Sequence, residues 1–516
     1  MNMNKINYIG LLLLLIAFSC ANKKTTTHEE EQLTAKKPNV LLIYTDDLGY
    51  GDVAKYGGQI PTPNIDKLAA EGLLFTNAYA TAATCTPSRY AMLTGEYAWR
   101  AKGRGVAPGD ASALIRPGRE TLPSVMQRAG YRTGVIGKWH LGLGGDEGPD
   151  WNGELNPGPL EIGFDYSFII PATGDRVPTV FVEDHHVVGL DPSDPIEVSY
   201  RKKVGDRPTG KDHPELLKMM WSHGHNHTIV NGVSRIGYMA GGESALWRDE
   251  DFAQTFVDKA SRFITQDSEK PFFLYFATHD IHVPRIAHEK FQGVSGFGPR
   301  GDVIVQLDWT VGELIKLLKE KGLEENTMII FSSDNGPVLD DGYEDKAREL
   351  LSDHKPWGVL RGGKYSAFEA GTRVPFIVKW PAQVQSGKTS RAMVSQVDLV
   401  GSFAGFLGQE YNAQHAVDTQ DAWAALIGED SEGREGLVQE ALFSNLTYIR
   451  RDGYKFIPAN NGPDMVPWGP VIETGFAEKD QLYNVKEDPG ETEDISAASP
   501  GIVDEMKSAL QQIKDK

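Results

Sequence analysis

Cysteine is nearly missing: the 516 residues hold two, Cys20 and Cys85, so no disulfide framework can carry this fold. Positive charge is also in short supply. Lys and Arg number 52 against 71 Asp and Glu, a formal net charge of −19, and no basic run relieves it. That balance excludes nucleic acid and anionic lipid as surface-bound partners. An anionic substrate then needs a local island of Arg, Lys or metal. Long apolar runs are absent too: the stretch from Ile9 to Ala17 falls short of the roughly 20 residues of a membrane-spanning helix. What is present is ordinary globular composition, with 40% hydrophobic residues, 24% charged residues, 55 glycines and 10 tryptophans. Disorder is excluded, and a chain of this length can bury a large core.

The N-terminus has the form of an export signal. Lys5 provides a charged region, Ile9 to Ala17 an apolar one, and Ala17-Phe18-Ser19-Cys20 resembles a bacterial lipobox. Residues 1–19 are then a lipoprotein signal peptide, Cys20 is the lipidated first residue, and 20–37 form a polar tether. The alternative is an ordinary cleaved signal with an incidental cysteine. In the lipoprotein reading the membrane is touched only through the anchor, the protein is exported to the periplasm or cell surface, and Cys85 has no partner.

Past the tether, short apolar runs recur at Asn39 to Tyr44, Thr133 to Ile136, Phe272 to Ala277, Thr327 to Ser332 and Val374 to Trp380. They have the form of buried parallel strands. Between Asp302 and Lys321, Val303, Leu307, Val311, Leu314 and Leu318 recur at helical spacing, with Gly322 as C-cap, and a further helix is predicted from Val394 to Leu407. Alternating strands and helices imply an α/β architecture with a large, mostly parallel sheet between helices. Short strands near Tyr448, Lys455 and Leu482 imply a small C-terminal α/β subdomain. The predicted division is a catalytic domain over 38–435 and the subdomain over 436–516.

Polar clusters follow four of the strands, where open α/β sheets gather ligands. Asp46, Asp47, Asp334 and Asn335 form an all-oxygen set suited to Ca²⁺, with Mg²⁺ second, rather than zinc. Both aspartates reach one ion only where the strand has ended, and Gly49 and Gly51 are read as supplying that turn. Pro87 fits the first turn of a helix to about Leu93, which sets residue 85 at an anion-favouring N-terminus.

Cys85-Thr86-Pro87-Ser88-Arg89 with Leu93-Thr94-Gly95 resembles the signature C-x-P-S-R-x-x-x-L-T-G of formylglycine-dependent sulfatases. The resemblance runs from Pro38 to about Pro381. It implies an alkaline-phosphatase-like sandwich and oxidation of Cys85 to formylglycine (3-oxoalanine) by a maturing enzyme. The hydrated aldehyde then attacks sulfur near the metal, which makes residue 85 a metal neighbour as well, with Arg89 assisting. Gly137-Lys138-Trp139-His140-Leu141-Gly142 resembles a second family block, implying Lys138 on the nucleophile or the sulfate oxygens and His140 as the base that expels sulfate. His279-Asp280-Ile281-His282-Val283-Pro284 implies His282 as sulfate ligand and general acid, with His279 supporting it or touching sugar. Gly363 to Pro375 implies Lys364 as sulfate ligand and leaving-group stabiliser, with Glu369 and Arg373 structural.

Arg176, His225 and His279 are the candidate sugar contacts. His223, His225 and His227 could also share one side of a strand as a zinc site or be plain loop. The function implied is release of sulfate from sulfated carbohydrate, algal polysaccharide or glycosaminoglycan fragments. The alternatives are a phosphonate or phosphate-diester hydrolase on the same scaffold and a non-catalytic glycan-binding lipoprotein.

Overall fold

The computed structural model describes residues 37–101, 105–266 and 268–516. The signal peptide, Cys20 and all but the last residue of the tether lie outside the described residues, among which no helix is long and apolar enough to cross a membrane. Six strands position the site: β1 (Asn39–Thr45), β2 (Arg132–Lys138), β3 (Tyr166–Ile170), β4 (Phe272–Ala277), β5 (Thr327–Ser333) and β6 (Phe376–Lys379). They belong to a ten-stranded sheet whose centre runs β5-β1-β4-β2-β3, all parallel. Continuous apolar runs form these strands because both faces are buried: Val40, Leu42 and Tyr44 pack into one core and Leu41 and Ile43 into the other. Each fully buried side chain of this kind contributes roughly 1.5–3 kcal/mol.

β6 departs from the mostly parallel pattern, pairing antiparallel with β5. The start of β6 therefore lies at the sheet edge where β1, β2, β4 and β5 end. The Gly363 to Pro375 block, which precedes a strand, thus joins clusters that follow strands. Helix α1 (Cys85–Thr94) begins at residue 85 and closes on Gly95 at φ 68°, where a left-handed residue ends the helix without a Cβ clash. Helix α2 (Gly298–Glu320) starts four residues before the periodic pattern and buries Val303, Leu307, Val311, Leu314 and Leu318. The helix predicted from Val394 starts only at Leu399. Val394 and Ser395 instead pair with Ala78 and Tyr79, and Gln396–Asp398 form a 3₁₀ turn.

A four-stranded antiparallel sheet, Gly436–Glu440, Leu446–Arg450, Tyr454–Ile457 and Gln481–Asn484, makes up the C-terminal part. The last helix, α3 (Pro500–Lys514), packs on it through Met506 and Leu510. This sheet is tied to the site's scaffold: buried Lys455 reaches Glu369 at 3.0 Å and Glu491 at 3.6 Å. Glu369 also accepts from Tyr79 at 2.8 Å and pairs with Arg373 at 3.5 Å, so both residues do structural work.

Asp52, just past the site loop, takes two bonds from Arg300 at 2.6 and 2.7 Å and one from His354 at 2.9 Å, all buried. Burial opposes its ionisation, but Arg300 and His354 outweigh it and hold the carboxyl at about 2. A depressed carboxylate contributes stability above its unfolded value near 4 and loses it as pH falls through about 2, worth about 2–3 kcal/mol. Asp52→Asn, which strands Arg300, is expected to cost about 3–5 kcal/mol at neutral pH. Urea unfolding of both proteins should show that gap narrowing as pH drops from about 4 towards 2.

Candidate active site

At the shared sheet edge the ends of β1, β2 and β5 bring Asp46, Asp47, Lys138, Asp334 and Asn335 together, all fully buried. Asp47 itself makes the turn that aims consecutive aspartates at one point: its φ is 58°. Gly49 and Gly51 do another job. A Cβ on either would come within 2.2 Å of the carbonyl oxygen of Pro356 or Lys355, so their lack of a side chain lets the 355–358 segment close over the loop.

Carboxylate oxygens of Asp46, Asp47 and Asp334 lie within 4.8 Å of one another. Asp46 Oδ1 and Asn335 Oδ1 are buried without any hydrogen-bond partner, while Asn335 Nδ2 donates to Asp47 Oδ1 at 2.7 Å. Orphaned, all-oxygen acceptors converging on one point fit a hard divalent cation and no soft one. Charge balance agrees. Burial and then Asp334 push the Asp46 carboxyl well up, whereas at Asp47 the pull of Lys364 and Lys138 and the Asn335 bond overcome burial. A cation at the orphaned oxygens would offset the burial and the Asp334 charge that disfavour an ionised Asp46.

Around this set stand three cationic side chains. Arg89, from α1, donates Nε to Asp334 at 2.9 Å and packs its guanidinium 5.3 Å from the Tyr44 ring centre. Lys138 bonds Asp46. Lys364 bridges Asp47 at 2.9 Å and Asp341 at 2.8 Å, and those two anions outweigh burial and hold its ammonium charged. This is the local island that the net charge required.

Cys85 occupies the first turn of α1, 2% exposed, with ligand atoms of Asp46 and His282 within 4.8 Å of its own. Burial pushes its thiol up further than Lys138 and Lys364 pull it down. An unmodified Cys85 is therefore a neutral thiol at working pH and a poor nucleophile. His140, at φ 57°, sets Nε2 2.9 Å from the Ala107 carbonyl, and its Nδ1 is buried without a partner. Burial, Lys138 and Arg176 hold it neutral: an imidazole with a free lone pair, as a base requires. His282 directs Nδ1 to the Val283 carbonyl at 2.7 Å and Nε2 towards Asp47 at 3.8 Å. It too is held neutral, by burial and the two lysines.

Above residue 85 opens a cavity of about 460 Å³, lined among others by Arg176, His225, His282, Asp341 and Lys364. Arg176 is braced by Thr173 at 2.6 Å and Asp175 at 2.9 Å, and Asp175 also takes His225 Nε2 at 2.9 Å. His279 is not among the residues that line this cavity: its Nε2 accepts from the Gly174 amide at 3.0 Å, which supports the Arg176 loop. The zinc reading of His223, His225 and His227 also fails. Residues 222–224 form bends and 225–226 have no regular structure, so no strand runs here. His223 pairs with Ser222, His225 with Asp175, and His227 accepts from the Gly237 amide.

Sequence reasoning missed Asp341, the second anion on Lys364, because no motif spacing marks it. It also missed the Glu440 to Ser444 turn of the C-terminal sheet, which reaches the cavity wall.

A family model described as Sulfatase matches residues 38–409. An N-acetylgalactosamine-6-O-sulfatase of Bacteroides thetaiotaomicron is 50% identical over 481 residues, 93% of this chain and 94% of the relative. Arylsulfatase A of Homo sapiens is 30% identical over 495 residues, 93% and 87% of the two chains. A solved structure described under metabolism of multiple glycosaminoglycans by Bacteroides thetaiotaomicron superposes with a TM-score of 0.92. It is 50% identical and covers 93% of this chain and 100% of its own.

Proposed function

This chain belongs to the sulfatase family, and from that membership we propose that it frees inorganic sulfate from 6-O-sulfated N-acetylgalactosamine in glycan fragments, through an aldehyde made from Cys85. It is a sulfuric ester hydrolase acting on a sulfated sugar. The observation that carries the aldehyde reading is residue 85 itself: a buried, neutral thiol at a helix N-terminus, acted on by Lys138 and Lys364 and with ligand atoms of Asp46 and His282 within 4.8 Å. Lys138 and Lys364 pull towards an anion there without overcoming the burial of the thiol, and the same cations suit an oxyanion.

Conversion of Cys85 to formylglycine by a maturing enzyme supplies a hydrated aldehyde as nucleophile. A calcium ion held by Asp46, Asp47, Asp334 and Asn335 supplies positive charge for residue 85 and for the sulfate oxygens. The remaining work falls to this chain's side chains. The Lys138 and Lys364 ammoniums face the sulfate oxygens, and Arg89 fixes Asp334 and the start of α1. His140 Nδ1 takes up a proton from residue 85 when sulfate departs. Lys364 stabilises the leaving oxygen, and His282 becomes a proton donor once the anionic ester stands beside it. Arg176 and His225, both locked on Asp175, face the sugar. The lipobox carries the further proposal that the mature enzyme is exported and anchored through Cys20.

Ion chromatography of sulfate released from N-acetylgalactosamine 6-sulfate and 4-sulfate tests the substrate. A kcat/KM at least about a hundredfold higher for the 6-ester is expected, because the site's fixed polar groups reject a misplaced ester. Equal turnover of both, or faster turnover of an aryl phosphodiester, defeats the reading.

A further inference from the structure

The cavity's outer wall differs from its cationic floor. Phe443 and Trp468 line it and remain 64% and 38% exposed, although large aromatics are costly to leave in water. They are not loose. Trp468 stands edge-on to Tyr365, with centroids 5.2 Å apart and planes at 84°. Phe443 stands edge-on to Trp468 at 6.4 Å and 79°. The Tyr365 hydroxyl bonds Asp341 at 3.1 Å, the carboxylate that holds Lys364. The rings therefore stand at a fixed place relative to the site floor.

The backbone commits to the same arrangement. Phe443 and Ser444 both take left-handed conformations, φ 55° and 54°, which is uncommon for non-glycine residues and strained for an aromatic one. The turn is pinned by Leu442 N to the Tyr365 carbonyl at 3.0 Å and Ala441 N to the Asn445 carbonyl at 2.8 Å. Strain held in place to expose a ring to a cavity is the signature of a ligand contact rather than of packing. Beside the rings, the Ser444 hydroxyl donates to Glu440 at 2.7 Å, and both residues line the cavity. Aromatic faces with hydroxyl and carboxyl groups at their edge match the apolar C–H face and polar rim of a pyranose ring.

We infer that Phe443 and Trp468 form a platform for a second sugar ring, the one linked to the sulfated residue, so that this enzyme is built for short sulfated oligosaccharides rather than for the monosaccharide. The inference rests on the sulfatase reading above. It follows that the C-terminal sheet supplies this second subsite, since Phe443 comes from its first turn.

The test compares kcat/KM for N-acetylgalactosamine 6-sulfate with that for a disaccharide carrying the same sugar at its non-reducing end. The wild-type ratio, disaccharide over monosaccharide, is expected to exceed one. It should fall about tenfold in Trp468→Ala and by a similar factor in Phe443→Ala, while Trp468→Phe keeps most of it. Because the readout is a ratio within each variant, partial misfolding cancels. A sulfatase whose ratio does not move in either alanine variant overturns the platform alone. A wild-type enzyme that frees sulfate from neither sugar overturns the functional reading and the platform with it.

Discussion

Cys85→Ala is expected to lower sulfate release by about 10⁴-fold or more while leaving the protein folded. The side chain is buried and small, so removing its sulfur costs about 1 kcal/mol of packing, far too little to unfold a chain with cores on both faces of a ten-stranded sheet. What is lost is the nucleophile. Cys85→Ser should fare little better, because an ordinary hydroxyl has neither the acidity of a hydrated aldehyde nor a base placed to strip it in the first step. Free sulfate measured alongside a thermal melt separates the two effects. Substantial turnover by a folded Cys85→Ala protein removes residue 85 from the chemistry.

Stripping divalent ions is expected to abolish most activity, about a thousandfold, and to lower the melting temperature by several degrees. Three carboxylates from two strand ends lie within 4.8 Å of one another, and with Asp341 they set four acids against Arg89, Lys138 and Lys364, which leaves an excess of negative charge. A ligand that binds the folded state alone at a thousand times its Kd adds about 4 kcal/mol, and that is what chelation withdraws. Calcium should restore both quantities, and magnesium less well, because the orphaned oxygens come from rigid, buried side chains that leave little room for retained waters. Protein shown free of metal by elemental analysis, yet fully active and unchanged in its melt, refutes the assignment of Asp46, Asp47, Asp334 and Asn335.

Much of this site was legible before the fold, for a physical reason. The strands that build it are buried on both faces, so each reads as an uninterrupted apolar run, and each polar cluster marks the point where such a run stops. The run from Phe272 to Ala277 coincides with β4, and the Asn39 to Tyr44 run ends one residue short of β1. Interactions that depend on chain reversals were not legible. Asp47 carries the turn in its own left-handed backbone, and no propensity distinguishes it from Asp46. The sequence sets His282 at the sulfate but leaves His279 as a support or a sugar contact, and only the fold shows His279 holding a loop. Val394 to Asp398 reads as the start of the helix that follows, but there a two-residue pairing with Ala78 and Tyr79 takes precedence. Asp341 and Phe443 sit in irregular segments whose function lies in position rather than pattern. Sequence periodicity carries no record of either.

The most direct test of the account is the mass of the peptide containing residue 85, taken from protein made in a host that matures sulfatases. Oxidation of Cys85 to the aldehyde removes one sulfur and two hydrogens and adds one oxygen, and an amine or hydrazine probe should capture it. The expected result is a converted fraction at residue 85 that rises and falls in proportion to sulfate-releasing activity across preparations. Full activity from a preparation in which residue 85 is entirely an unmodified thiol would contradict the account.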